Sequence, residues 1–113
     1  MAATIKEICT AIEAEVHVEG DAAKTVARGS VGDLLSFVIG SDSEDTAWIT
    51  IQTHLNVAAV AVLKDIPIIV IASSREPAQD LIERCRAENI ALVTTPLSIF
   101  SACVALGKLG LEG

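Results

Sequence analysis

The chain has 113 residues and a mass of 11.8 kDa, the length of one domain. Hydrophobic residues make up 51% of it and the mean hydropathy is +0.54, which excludes a disordered chain. Eight basic against fifteen acidic residues leave a net charge of −7, which argues against nucleic acid or an anionic membrane as partner, since clustered Lys and Arg hold both.

The first helix is well signalled. Thr4 can cap it and Glu7, three residues later, can complete a capping box. Ile5, Ile8, Cys9 and Ile12 then share one helical face. Glu15–Glu19 alternates as a strand with Val16 and Val18 on one side, and Gly20-Asp21 turns the chain. Thr25–Val31 reads as one short strand. Asp33 can cap a short helix through Phe37, Val38 and Ile39 that stops at Gly40, and Ser41–Asp45 is an acidic loop.

Three strand–helix units follow. Ala47–Thr53 is a strand with Ala47, Ile49 and Ile51 on one side and Trp48, Thr50 and Gln52 on the other. Val57–Lys64 is an apolar helix, and Ile68–Ala72 is the unbroken apolar run of a strand buried on both faces. Pro77 suits the first turn of a helix with Ala78, Leu81, Ile82 and Cys85 inward, and Asn89 ends it in a left-handed conformation. Ala91–Thr94 is a strand, Thr95 a cap, Pro96 a first helical residue, and Leu97–Lys108 a last helix closed by Gly110. Such units make parallel strands joined by crossover helices. The expectation is a single three-layer α/β domain over residues 1–113, with a mostly parallel sheet of about five strands flanked by helices.

The last helix is apolar nearly all round: Leu97, Phe100 and Val104 lie on one face, and Ile99, Cys103 and Leu106 on another. A helix of this kind must be covered twice. Either it supplies a homodimer surface, or it is wedged between the sheet and the first helix.

Cys9, Cys85 and Cys103 are an odd, widely spaced set with no C-x-x-C pair, so buried thiols in a reduced, cytoplasmic protein are expected. No secretory signal is expected either, because the start turns charged and amphipathic at once. The longest uncharged run, Ile90–Gly107, holds Thr94, Thr95, Pro96, Ser98 and Ser101, which suits a strand–turn–helix and not a membrane span.

In parallel sheets ligands bind at the carboxyl ends of the strands, where helix N-termini present free N–H groups, at the point where the strand order reverses. Three such ends are readable: Thr53, His54 and Asn56; Ser73, Ser74, Arg75 and Glu76; Thr94 and Thr95. Hydroxyls and backbone donors can bind the oxygens of a phosphate or carboxylate, and the Arg75 guanidinium can balance its charge. Ser, Thr and Asn at these positions can equally well only cap helices. No nucleophile–base constellation accompanies them. His54 is a strand-end residue, and His17 falls in a distant strand with no metal spacing. Gly107-Lys108 lacks the upstream glycine and the following hydroxyl of a phosphate loop, and Asp42, Glu44 and Asp45 lack calcium-loop spacing. No catalytic residue, metal or cofactor is expected; a third reading, a small hydrolase or transferase, is disfavoured by the missing nucleophile–base constellation.

The run Val31-Gly32-Asp33-Leu34-Leu35-Ser36, the stretch Trp48-Ile49-Thr50-Ile51-Gln52-Thr53-His54-Leu55-Asn56 with Val57–Ala61, the segment Arg75-Glu76-Pro77, and Thr94-Thr95 to Phe100 together resemble the DRTGG domain over nearly the whole chain. Near Lys24–Ser30, Gly29 keeps one glycine of the namesake motif and Arg28 stands at the other position. The domain is similar to the non-catalytic N-terminal domain of HPr kinase/phosphorylases and to the insert beside nucleotide-sensing CBS domains in regulated pyrophosphatases, where it takes part in dimer contacts. It also occurs near phosphotransacetylase domains, and stand-alone members are encoded near iron hydrogenase components. The resemblance implies a non-catalytic regulatory or ligand-sensing domain that signals through a homodimer. The alternative it leaves open is an interaction module with no small ligand, docking an enzyme subunit such as that of a hydrogenase or redox complex.

Overall fold

A computed structural model describes residues 2–32 and 45–113. The expected helix from Asp33 to Gly40 lies outside the described residues. So does the Ser41–Asp45 loop apart from Asp45. The described elements are β1 (Ala3–Thr4), α1 (Ile5–Ala11), β2 (Glu15–Val18), β3 (Thr25–Val26), β4 (Arg28–Val31), β5 (Thr46–Thr50), α2 (Asn56–Leu63), β6 (Ile68–Ile71), α3 (Gln79–Ala87), β7 (Ala91–Thr94) and α4 (Ile99–Lys108).

Helix α1 starts where its sequence says it should. Thr4 Oγ1 accepts the Glu7 N–H at 3.1 Å, and Glu7 Oε1 accepts the Thr4 N–H at 2.8 Å, so both halves of the capping box form. Ile5, Ile8 and Ile12 are buried beneath it.

The five-stranded sheet has the order β2-β7-β6-β5-β4. Strands β4 to β7 are parallel neighbours in chain order, and β2 runs antiparallel on the β7 edge. Helices α2 and α3 pack with Trp48, Ile69 and Leu92 on one face. Ile5, Ile8 and Ile12 under α1, with Ala102 and Leu106 of α4, pack with Ile49, Val70 and Val93 on the other. Strands β5, β6 and β7 are buried along their whole length, which is why β6 is written in apolar residues alone.

Several boundaries move for identifiable reasons. The single strand expected over Thr25–Val31 divides at Ala27. β3 pairs with β1 in a two-stranded antiparallel ribbon, while β4 joins the main sheet. Strand β5 ends at Thr50, not Thr53, because the Thr50 hydroxyl accepts the Gln52 N–H at 3.1 Å and turns the chain. Helix α3 begins at Gln79, because the Ala78 N–H donates to the Thr53 carbonyl at 2.9 Å and holds Ala78 extended. Pro77 therefore lies before the cap. Helix α4 is capped by Ser98, whose hydroxyl accepts the Ser101 N–H, and not by Thr95. In β2 a bulge between Val16 and Val18 sets the two valines opposite Val93 and Leu92, on opposite faces. Val18 is buried and Val16 is exposed, which corrects the one-sided alternation read from sequence.

Helix α4 packs against both the sheet and α1, burying Ala102 and Leu106. Its other side stays in solvent, with Phe100 78% exposed and Val104 42% exposed. Beyond it, Gly110 turns with φ 101°, Leu111 returns to the core, and Glu112 bonds to Ala27 and Gly29 at the β4 edge.

Candidate functional site

The parallel register levels the carboxyl ends of three strands. Thr50 lies beside Ile71, and Ile71 lies beside Thr94. The loops that follow therefore leave the sheet from one end, its rim. They are also tied together by backbone bonds. The Ser73 N–H donates to the Leu97 carbonyl at 2.8 Å, the Ser74 N–H to the Thr95 carbonyl at 2.9 Å, and the Ala78 N–H to the Thr53 carbonyl at 2.9 Å.

The parallel strands follow one another without a reversal of order, but the connections change face at β7. The loop after β6 leads to α3 on one face, and the loop after β7 leads to α4 on the other. Such a divergence opens a crevice in doubly wound sheets. Here Ser73 and Ser74 bridge it. Both adopt left-handed φ, 62° and 56°, and the two bonds across the loops hold them there.

The eight candidate residues separate by burial. His54, Asn56, Ser73, Ser74 and Arg75 are exposed on the rim, and Thr53 is half-buried. Among the described residues nothing pairs with the Arg75 guanidinium. Asn56 is the first residue of α2, and Leu55 precedes it as a cap without a side-chain bond. Thr94 and Thr95 are buried. The Thr95 hydroxyl donates to the Ile12 carbonyl and accepts the Leu97 N–H at 3.2 Å, so its donor and one acceptor position are used inside the fold. The Thr94 hydroxyl meets His17 Nε2 at 3.2 Å.

His17 is therefore not remote from the rim, as the linear sequence has it, but beside one of its threonines. The antiparallel return of β2 next to β7 brings it there, and no local signal announces that pairing. Arg86 of α3 reaches the His17 carbonyl at 3.5 Å.

The electrostatics of the rim are mixed. Arg75 supplies one cation, Glu76 follows it directly, and Asp80 stands in the first turn of α3. A ligand here meets hydroxyls, one guanidinium and two carboxylates, so it would need donors as well as an anionic group. A cavity of about 280 Å³ lies at the opposite, amino ends of the strands.

The thiols sit elsewhere. Burial raises the pKa of Cys9, Cys85 and Cys103, and pushes that of Cys85 to about 11 against the opposing pull of Arg84. Among the described residues no three His, Cys, Asp or Glu side chains are grouped to hold a metal ion, and no helix is long and apolar enough to cross a membrane.

No protein-family model and no curated protein matches the chain. Its fold does match a solved structure, the crystal structure of the CBS and DRTGG domains of the regulatory region of Clostridium perfringens pyrophosphatase complexed with its activator, diadenosine tetraphosphate. The TM-score is 0.77 at 18% sequence identity, over 91% of this chain. The chain spans 45% of that structure's length. The likeness establishes a DRTGG-like α/β fold.

Proposed function

We propose that this chain is a non-catalytic, ligand-sensing regulatory domain that takes a small molecule bearing a phosphate or carboxylate at the rim and signals through a homodimer. The observation that supports the reading is the level register of β5, β6 and β7, whose following loops carry Thr53, His54, Asn56, Ser73, Ser74 and Arg75. Thr94 and Thr95 position that edge from beneath. The likeness to a regulatory region crystallised with a nucleotide activator supports the same reading. The adjoining Glu76 and Asp80 favour a ligand that also offers hydroxyl or amino donors, as nucleotides do.

Thermal shift against nucleotides, acyl phosphates and inorganic phosphate tests it. A ligand of the native state raises the midpoint by mass action, and Arg75→Ala should abolish the rise. A rise that survives Arg75→Ala, or none with any of these compounds, overturns the rim as the binding site.

In this reading the exposed Phe100 and Val104 supply the homodimer surface. Sedimentation at high micromolar concentration should show a dimer that Phe100→Asp dissociates; a monomeric native protein contradicts it. The same exposed pair favours the second reading, an interaction module that docks an enzyme subunit without any small ligand. A monomer that is silent to every compound would support that reading over the first.

A further inference from the structure

The connection from β6 to α3 holds the chain in a strained shape. Ser73 and Ser74 stand at φ 62° and 56°, and the Arg75 N–H reaches back to the Ala72 carbonyl at 3.5 Å. A tight turn with both central residues left-handed calls for Gly, Asn or Asp. Serine fills both positions.

The other left-handed non-glycine residues among those described are Glu13, Asp65 and Asn89. Each follows the cap of a helix, α1, α2 and α3 in turn, and the next N–H closes onto the last turn of that helix. Ser73 and Ser74 end no helix. They are held from outside, by the Ser73 bond to Leu97 and the Ser74 bond to Thr95, and both acceptors lie on the β7–α4 loop.

A left-handed non-glycine residue costs about as much as one backbone hydrogen bond contributes. Here two strained residues are set against two bonds. Both serines are exposed, so water can take over the freed N–H groups. The ladder directly beneath carries no such strain: the Ala72 N–H donates to the Thr50 carbonyl and the Thr95 N–H to the Ile71 carbonyl, each at 2.9 Å.

We propose that Ser73–Ser74 is a latch between the two rim loops that opens by itself while the sheet beneath stays intact. Opening turns two N–H donors toward the rim and releases the lead into α4. As a moving part the latch stands on this geometry; as a control on ligand binding it rests on the rim reading above.

Amide hydrogen exchange of the ¹⁵N-labelled protein without ligand tests the latch. After correction for intrinsic rates, the amides of Ser73 and Ser74 should exchange together, about tenfold or more faster than those of Ala72 and Thr95. Ser74→Gly relieves one strained residue and should slow exchange at 73 and 74 about three- to fivefold, with Ala72 and Thr95 unchanged. Ser74→Ala, as strained as the native residue, should exchange like the native protein. Exchange at Ser73 and Ser74 as slow as at Ala72 and Thr95, a Ser74→Gly effect spread evenly over all four, or the same slowing in Ser74→Ala overturns the latch. Titration with inorganic phosphate separates it from the rim reading. Ser74→Gly should weaken phosphate binding by the same factor, and equal binding would deny the latch any control of the rim. No response to phosphate in either protein would count against the rim alone, and the exchange contrast would still decide the latch.

Discussion

The Thr95 hydroxyl donates to the carbonyl of Ile12, joining the start of the β7–α4 loop to the end of α1 across 83 positions of sequence. The same oxygen accepts the Leu97 N–H. One buried side chain thus fixes the N-terminal helix to the loop that supports the rim.

Replacing Thr95 with Val keeps the shape and removes both bonds. Two backbone groups then lose their partner, at a cost of about 1–3 kcal/mol. Urea denaturation should show that loss for Thr95→Val and a smaller one for Thr95→Ser, which keeps the hydroxyl. Equal stability of native and Thr95→Val protein would mean the bond contributes nothing net.

Gly20 is demanded by both conformation and space. Its φ is +58°, and a Cβ placed on it would stand 2.6 Å from the Ala91 backbone nitrogen. The clash is with backbone that cannot swing aside. Gly20→Ala should therefore destabilise the fold by about 2 kcal/mol or more, combining left-handed strain with a displaced β7. A melting temperature unchanged from native would contradict this.

Much of this architecture is legible in the chain because its signals are local. The capping box at Thr4 and Glu7, the apolar run of β6, the bounds of β7 and the left-handed Asn89 all need only neighbouring residues. What escapes is set by contacts distant in sequence. Thr95-Pro96 has the form of a helix start, but the Thr95 hydroxyl is claimed by Ile12, and the helix waits for Ser98. Ala78 stays extended because Thr53 holds it, and Thr25–Val31 divides because two different sheets recruit its ends. For the candidate site, the three loop tips are readable from their order. The burial of Thr94 and Thr95, and the arrival of His17 beside Thr94, depend on where β2 pairs.

The thiols set a pH dependence with a definite sign. Burial raises Cys85 from 9.0 to about 11, so the folded chain holds a proton that the unfolded chain releases first. Stability is unaffected by this group below pH 9 and falls as pH rises from 9 toward 11, by on the order of 2 kcal/mol in full. Cys9 and Cys103, also raised, act in the same direction. Denaturation midpoints across that range should fall less in Cys85→Ala relative to its own value at neutral pH. A parallel fall in both proteins would assign the loss to other groups.

The central claim is that the levelled strand ends form one anion-accepting edge. Titration of the ¹⁵N-labelled protein with diadenosine tetraphosphate, and with inorganic phosphate beside it, measures that claim most directly through the backbone amides. The account predicts saturable shifts at Thr53, His54, Ser73, Ser74 and Arg75 with at least one of the two, absent from Arg75→Ala. Shifts located away from those residues, or none with either compound, would contradict it.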